Sequence, residues 1–178
     1  MLLRRILTGT LHPPRPVRMS YQSWRPTRQE SRDVTLTTGT MTDEQRISVA
    51  KEFLLRLDLG GDTLELFDDD ALYYFPKRGL MRGKSEIAEF FTQLGSILGS
   101  IEHHAAYFNT LVQGDLVVIE GTSHGVTADG VEWRAHQTHA GPWCDVFEIR
   151  DFKIHRLATY LDPDYAGADT QRYPWLKS

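Results

Sequence analysis

The stretch at residues 142–163, PWCDVFEIRDFKIHRLATYLDP, constrains the fold more than any other part of this 178-residue chain. Its alternating apolar and polar residues predict two long β-strands that are joined by a tight turn at residues 150–152. Side chains alternate along a strand, so each strand places one set on a common face: Trp143, Asp145, Phe147 and Ile149 on the first, and His155, Leu157, Thr159 and Leu161 on the second. Both faces are partly apolar, and we expect helices to cover one and a partner or a bent sheet to cover the other. Asp145 stands out as a carboxyl group within an otherwise apolar row.

The segments before this hairpin predict helices first and strands afterwards. Apolar residues at helical spacing predict a first helix over about 43–58, behind a capping box at Thr42, and a third over about 85–98, while Asp62 can cap a short second helix between them. The acids at 68–70 indicate a turn, residues 78–83 a loop, and Gly141 a bulge or kink. Strands are predicted at 71–75, 101–113, 116–127 and 131–140, the last three separated by turns at 114–115 and 129–130. This order predicts an α+β fold, in which a long curved sheet, antiparallel or mixed, wraps around the N-terminal helices and encloses a cone-shaped space for a small molecule.

The first forty residues differ in character from the rest. They hold seven Arg against two acids, a net charge of +5, whereas residues 41–178 carry a net charge of −9. This Arg-, Pro-, Ser- and Thr-rich segment has no strand or helix period, which predicts a disordered extension over residues 1–40. It resembles a mitochondrial transit peptide in composition, the alternatives being an extension with no role or a start of translation at Met41. We therefore expect a domain over 41–165, a tail over 166–178 and a cytoplasmic location, with organelle targeting as the alternative.

The composition also argues against several kinds of site and partner. The acidic surface of the folded part argues against nucleic acid as a partner. No apolar run approaches the roughly 20 residues of a membrane span. The single Cys144 excludes an internal disulfide framework and a cysteine-rich zinc site, and we expect it to be a small buried hydrophobe. His136 and His139 are three apart and so face opposite sides of a strand, and we expect neither a metal site nor an organic cofactor.

The order of the elements and two longer motifs resemble a known superfamily. These are FDDDALYYFP at residues 67–76, followed by RGKSEI at 82–87, and VFEIRDFKIHRLATYLDP at 146–163. They resemble the nuclear transport factor 2-like superfamily, and within it the SnoaL-like proteins, over about residues 42–165. The resemblance implies the cone-shaped α+β barrel of that superfamily and a homodimer formed through the outer sheet face. It does not fix the reaction, because members include isomerases, dehydratases, cyclases, epoxide hydrolases and proteins with no chemistry.

Two well-known catalytic sets of the superfamily are incomplete here. By the resemblance, Asp145 lies where ketosteroid isomerase has its oxyanion-hole carboxylic acid, but the tyrosine and the general base of that enzyme match Phe53 and Phe75. The charged groups of limonene epoxide hydrolase fall near three uncharged positions: Gly121, Ser123 and Thr159. None of these three can deprotonate water as a carboxylate does. Neither activity is expected.

The pattern of the scytalone dehydratase and SnoaL-like dehydratases fits better. It implies an Asp at the end of the first helix, matching Asp58, and a His after the third helix, matching His103 or His104, of which we favour His104. An Asp that holds a histidine in one tautomer makes a general base. The alternative is a solvated Asp58 with histidines that only fill strand positions. Asp145 is either a buried acid with a raised pKa or one half of a structural ion pair with Arg134 or Arg156.

These observations leave two classes of function. The first is a cofactor-independent lyase or isomerase that acts on a small, largely apolar molecule, with Asp58, His104 and Asp145 as its catalytic groups. We expect the pocket of this enzyme to be shaped by a further set of side chains: Phe53, Phe75, His124, His136, Trp143, Phe147 and Thr159. The second is a non-catalytic ligand-binding or dimerisation module of the same fold.

Overall fold

Residues 41–176 are the part of the chain that the structure, a computed structural model, describes. This part contains two α-helices, α1 (Asp43–Leu59) and α2 (Gly83–Ile97), and one eight-stranded sheet. The strands are β1 (Phe67–Phe75), β2 (Gly79–Arg82), β3 (Leu98–His103), β4 (Asn109–Gln113), β5 (Leu116–Thr127), β6 (Glu132–Arg134), β7 (Pro142–Arg150) and β8 (Lys153–Leu161). The predicted disorder of residues 1–40 lies outside the described residues.

Local sequence signals fix the ends of α1. The Thr42 hydroxyl accepts a hydrogen bond from the Gln45 main-chain N–H at 3.3 Å, and the Gln45 side chain accepts one from the Thr42 N–H at 2.8 Å. This reciprocal cap satisfies two N–H groups that the helix itself leaves unpaired. At the other end Gly60 adopts a left-handed conformation with φ 72°, which ends the helix at little steric cost. The first helix therefore lies where the sequence predicts it, one residue longer.

The sheet is mixed, curved and open. Its strands run in the order β2-β1-β8-β7-β5-β3, and β4 and β6 also pair with β5. The β1–β8 pair is parallel and the other pairs are antiparallel. This architecture confirms the predicted α+β fold with a curved mixed sheet around the helices. The first half of β5 pairs with β4, and its second half pairs with β3 and β6. β5 therefore connects the two parts of the curved sheet.

The β7–β8 hairpin forms as predicted, with one correction. Asp151 and Phe152 both have positive φ, 49° and 59°, as a two-residue turn matching the twist of the strands requires. The register then shifts, since Phe147 faces Leu157 whereas Ile149 faces Ile154. The extra residue in β8 brings the fully buried Ile154, and not His155, into line with the inner face. The predicted alternation along the second strand is therefore wrong at His155.

Four other segments differ from their predictions. The acids at 68–70 lie in β1, and β2 occupies part of the predicted loop at 78–83. The acids are tolerated because β2 pairs with β1 only from Leu72 onward, which leaves Asp69 and Asp70 exposed. The predicted strand 101–113 is interrupted by a 3₁₀ turn at Ala105–Tyr107. The predicted strand 131–140 ends at Arg134, whose main-chain N–H donates to the Thr138 hydroxyl at 3.0 Å to form a turn.

The main core lies between the helices and the inner face of the sheet. Phe53 of α1 is fully buried at its centre, with edge-to-face contacts to Phe67 at 5.8 Å and Phe147 at 5.7 Å between ring centroids. A second, smaller cluster joins Trp133, Ala140 and Tyr165 at the end of the sheet. No helix among residues 41–176 is both long and apolar enough to cross a membrane.

The chain after β8 packs as short turns. It forms 3₁₀ turns at Thr170–Arg172 and Pro174–Leu176. Asp169 ties this segment to the β1–β2 turn through an ion pair with Lys77 at 3.0 Å. Residues 166–176, the described part of the predicted tail, thus contact the domain.

Candidate functional site

A cavity lies between the inner face of the sheet and the C-terminal halves of the two helices. Its volume is about 50 Å³, which is room for a few water molecules. Eight lining side chains are aliphatic or phenyl groups: Phe53, Leu57, Phe75, Phe91, Leu94, Leu98, Ile101 and Leu161. Six carry hydrogen-bonding groups: Tyr73, His103, Trp143, Asp145, Thr159 and Tyr165. Apolar walls and a small set of polar side chains are the usual composition of a small-molecule site.

Asp58 and His103 form a hydrogen-bonded pair at the edge of this cavity. Asp58 lies in the last turn of α1 and His103 ends β3. Asp58 Oδ2 accepts a hydrogen bond from the His103 main-chain N–H at 3.1 Å, and Asp58 Oδ1 lies 2.5 Å from His103 Nδ1. An ionised carboxylate can only accept, so this contact places a proton on Nδ1 and leaves the lone pair of the neutral ring on Nε2. The side chains are 17% and 7% exposed, which protects the pair from water.

Asp145 occupies the middle of β7, between Ile119 of β5 and Thr159 of β8. Burial raises the pKa of its carboxyl group from 3.8 to about 6, although the Thr159 hydroxyl and, when its ring is protonated, His103 act in the opposite direction. Its Oδ1 atom is buried and has no hydrogen-bond partner among residues 41–176. A buried oxygen without a hydrogen bond lowers the stability of the fold. Oδ1 of Asp145 is therefore available to form a hydrogen bond with a ligand in the cavity.

Other polar groups of the cavity act as donors. The Tyr73 hydroxyl and Thr159 Oγ1 are 3.2 Å apart, within hydrogen-bond distance. Burial, followed by the negative charge of Asp145, raises the pKa of both Tyr73 and Tyr165, which keeps both phenols protonated at neutral pH. The indole Nε1 of Trp143, which only donates, is buried and has no partner among the described residues.

The histidine beside Asp58 is His103 and not His104, which corrects the preferred assignment. His104 Nδ1 lies 2.9 Å from Thr122 Oγ1 and its Nε2 lies 2.8 Å from His124 Nδ1. His103 is the last residue of β3 and the chain enters a 3₁₀ turn at Ala105, so His104 lies at the change of direction and its ring contacts Thr122 and His124 instead. His104 and His124 thus form a second pair away from the cavity.

The other predicted pocket residues fall into two groups. Phe53, Phe75, Trp143 and Thr159 line the cavity. Three do not, which corrects their assignment: His124, His136 and Phe147. Phe147 is fully buried behind Phe53 in the core. His136 is exposed, with φ 66° in the turn after β6, because the predicted strand ends before it.

Tyr165 is a cavity residue that the sequence reasoning did not identify. It follows β8 in the sequence DPDY, where no strand or helix period indicates which side chains are buried. It is nevertheless only 7% exposed. The aromatic side chain was the only sign in the sequence that residue 165 is buried. An aromatic residue can equally line a cavity or pack on the surface.

The described residues offer no obvious alternative chemistry. Among residues 41–176, no group of three or more His, Cys, Asp or Glu side chains is arranged to hold a metal ion. Cys144 lies on the other face of β7 from the cavity, and burial together with the charge of Asp145 raises the pKa of its thiol. A thiol of raised pKa is a poor nucleophile. The polar groups that line the cavity are a carboxyl, an imidazole, an indole N–H and three hydroxyl groups.

Sequence comparison places the chain in a family. The model of the SnoaL-like domain matches residues 56–157, more than half of the chain. The chain belongs to the SnoaL-like domain family. The match includes Asp58, His103 and Asp145, and it confirms the family that the motifs indicate. Comparison with curated protein sequences gives no significant match.

Solved structures of other proteins show the same fold. An NTF2-like protein from Anabaena variabilis ATCC 29413 is 24% identical, with a TM-score of 0.57 over 71% of this chain and 98% of that one. A putative polyketide cyclase from Xanthomonas campestris pv. campestris is 17% identical, with a TM-score of 0.56 over 67% and 91% of the two chains. An LEH-like epoxide hydrolase from M. tuberculosis is 22% identical, with a TM-score of 0.51 over 67% and 84%. These similarities confirm the fold, and the different names attached to one fold leave the reaction to be argued from the site.

Proposed function

We propose that this SnoaL-like protein binds a small, largely apolar molecule in the cavity and acts on it as a cofactor-independent lyase or isomerase. The observation that carries the proposal is the Asp58–His103 pair, with Oδ1 and Nδ1 2.5 Å apart, on the edge of a cavity that also contains Asp145. A carboxylate that fixes the tautomer of a histidine is the arrangement that general-base catalysis requires. The apolar walls select the ligand by burial of its hydrocarbon part.

In this proposal His103 is the base. Its Nε2 lone pair removes a proton from the carbon next to a carbonyl group of the substrate, and the positive charge that forms on the ring is stabilised by Asp58. The electron pair of the broken C–H bond forms a C=C bond. In a dehydration the C–O bond to the departing hydroxyl breaks in the same direction, and that oxygen takes a proton from Asp145 and leaves as water.

Asp145 suits the part of the acid because of its environment. With a pKa of about 6, a fraction of the carboxyl groups is protonated near neutral pH. A substrate oxygen beside it excludes further water and favours the protonated form. The proton received by His103 returns to Asp145 through solvent after the product leaves, so the cycle needs no cofactor.

The alternative is a module that binds a ligand or a second copy of the chain without catalysis. The observation that favours it is the small cavity, since about 50 Å³ is well below the roughly 300 Å³ or more of typical ligand sites. We also propose a homodimer through the outer sheet face, where the exposed rings of Tyr74 and Tyr160 lie 5.9 Å apart. Light scattering measures the mass of the protein in solution, and a monomer at micromolar concentration would contradict the proposed homodimer. The cytoplasmic location and the absence of a nucleic-acid partner stay predictions from the sequence.

A thermal-shift screen of the full chain tests the proposed function. The probes are small cyclic ketones, β-hydroxy ketones and epoxides, measured on the unmodified protein, Asp145→Asn and His103→Asn. A probe at about 100 times its Kd stabilises the protein by about 2.7 kcal/mol, which is a readily measured shift in Tm. The proposal expects a β-hydroxy ketone that shifts the unmodified protein, a weaker shift with Asp145→Asn, and dehydration of the bound probe by the unmodified protein alone. Binding of the probes without any turnover would favour the non-catalytic module.

A further inference from the structure

One end of the cavity is closed by a single side chain that does not belong to the sheet or to either helix. Tyr165 lines the cavity, and it also lines a groove of about 340 Å³ on the outside of the domain. This outer groove is formed by three segments: residues 96–97 at the end of α2, residues 127–129 at and after the end of β5, and residues 163–166. Of the residues described, Tyr165 is the one that lines both spaces. Tyr165 therefore borders both spaces.

The cavity adjoins a cleft through which a ligand can enter. Five residues that line the cavity also line the cleft between the C-terminal ends of α1 and α2: Leu57, Phe91, Leu94, Leu98 and Ile101. Leu98 and Ile101, which line the cleft, also pack against the cluster of Trp133 and Tyr165, so the cleft and Tyr165 border the same apolar wall of the cavity.

The packing around Tyr165 supports this placement. Its ring contacts Trp133, with centroids 4.8 Å apart. Leu98, Ile101 and Leu161 pack against this cluster and also line the cavity. Tyr165 is therefore continuous with the apolar lining of the cavity.

The backbone that carries Tyr165 is held by local contacts and not by a strand ladder. The Asp164 main-chain N–H donates to Asp162 Oδ1 at 3.0 Å, and the Asp164 carboxylate accepts from the Ala168 N–H at 2.9 Å. Such turns fix the segment without involving the sheet. A change at residue 165 can thus alter the end wall while the frame that holds His103 and Asp145 stays in place.

We infer that Tyr165 sets the length of ligand that this cavity accepts, by closing the cavity against the outer groove. This inference rests on the proposed function for the chemistry of the ligand, an apolar molecule with one carbonyl group. Straight-chain 2-alkanones from acetone upward are the probes, because they present one carbonyl and a tail that lengthens in single steps, and a cavity of about 50 Å³ holds only the shortest of them. Each buried CH₂ contributes about 0.8 kcal/mol, or about fourfold in affinity.

The first measurement is the affinity of the full chain for each 2-alkanone. In the unmodified protein, affinity should rise about fourfold per CH₂ until the tail reaches Tyr165, and then stop rising or fall. In Tyr165→Leu and Tyr165→Met, which open the wall by different amounts, the rise should continue for further carbons. Tyr160→Leu is the matched control, since Tyr160 lies on the opposite face of β8 and is 54% exposed. The same length limit in all of these proteins would overturn the inference.

A second measurement needs no ligand, and so separates failure of this inference from failure of the proposed function. Hydrogen exchange of the Trp143 indole N–H, followed by NMR, should be about tenfold faster in Tyr165→Leu or Tyr165→Met, because the outer groove then admits water to the cavity. In Tyr160→Leu it should be unchanged. If no alkanone binds any protein, the carbonyl ligand is wrong and this exchange rate decides the role of Tyr165. Equal exchange in the Tyr165 variants and the unmodified protein would refute that role.

Discussion

Asp58 binds His103 through two hydrogen bonds, one from ring Nδ1 at 2.5 Å and one from the main-chain N–H at 3.1 Å. Asp58 sits in the last turn of α1, where the helix dipole disfavours a negative charge. Both hydrogen-bond donors offset that cost. The two contacts also fix the angle of the imidazole, so that its other nitrogen is held in one place.

A double-mutant cycle tests this coupling without any substrate. Asp58→Ala and His103→Ala are made singly and together, and urea unfolding gives the free energy of each protein. Contacting groups of this kind show coupling energies of about 0.5–3 kcal/mol, and we expect a value in the upper half of that range because the pair is buried. The control cycle replaces His103→Ala with His104→Ala, for which the expected coupling to Asp58→Ala is close to zero. Equal coupling in both cycles would contradict the assignment of His103.

Which of the two histidines contacts Asp58 could not be predicted from the sequence. The sequence predicts an acid–histidine pair, but the face that each histidine takes depends on the pairing of β3 with β5, in which His103 faces Ser123. A shift of one residue in that pairing would exchange the two faces. Residues 104–108 leave the ladder between β3 and β4, and nothing in the local pattern predicts that interruption.

The pKa of Asp145 predicts a specific dependence of stability on pH. A rise from 3.8 to about 6 means that the folded state keeps this proton longer than the unfolded state, so Asp145 lowers the stability of the protein as pH rises through that window, by about 3 kcal/mol in full. The loss is absent well below pH 4 and complete above about pH 7. Asp145→Asn removes the charge and hence the effect.

Urea unfolding of the unmodified protein and of Asp145→Asn at pH 4 and at pH 7.5 measures this effect. The difference between their free energies of unfolding should move by about 2 kcal/mol in favour of Asp145→Asn between the two pH values. Asp70→Asn, which alters an exposed carboxyl group on β1, is the control for loss of charge. A pH-independent difference for Asp145→Asn would show that the buried carboxyl does not titrate in this window.

Gly121 provides a test of how Trp143 is positioned. A Cβ atom at Gly121 would lie 2.6 Å from Cζ2 of Trp143, so the indole must move if an alanine is placed there. Trp143 in turn packs edge-on against His103, with ring centroids 5.1 Å apart. Gly121→Ala should therefore cost about 1–3 kcal/mol of stability and shift the His103 resonances in an NMR spectrum.

Gly95 is the matched control for that substitution. A Cβ atom there meets nothing within 4 Å, and the residue lies inside α2. Gly95→Ala should stabilise the protein by about 0.5–1 kcal/mol through the helix preference of alanine. Unchanged stability and unchanged His103 resonances in Gly121→Ala would mean that the indole is not held against β5.

The fold was more accessible to sequence reasoning than the cavity. The α1 cap and the β7–β8 hairpin follow from residues that are close in the chain, and so they could be predicted. The burial of Asp145 was also foreseeable from its place in an apolar row. The position of Tyr165 was not, since it follows from the packing of an irregular segment on Trp133, which is far away in the sequence.

The most direct test of the central claim is the exchange of protons next to the carbonyl group of a bound ketone. Cyclohexanone and related ketones are incubated in D₂O with the unmodified protein, His103→Asn or His104→Asn, and deuterium uptake is followed by NMR. Asparagine can keep the contact of Nδ1 in both variants while it removes Nε2. A general base contributes about 10²- to 10⁴-fold, so His103→Asn should abolish most of the catalysed exchange and His104→Asn should leave it unchanged. Equal exchange with the two variants would contradict the role of His103 as the base.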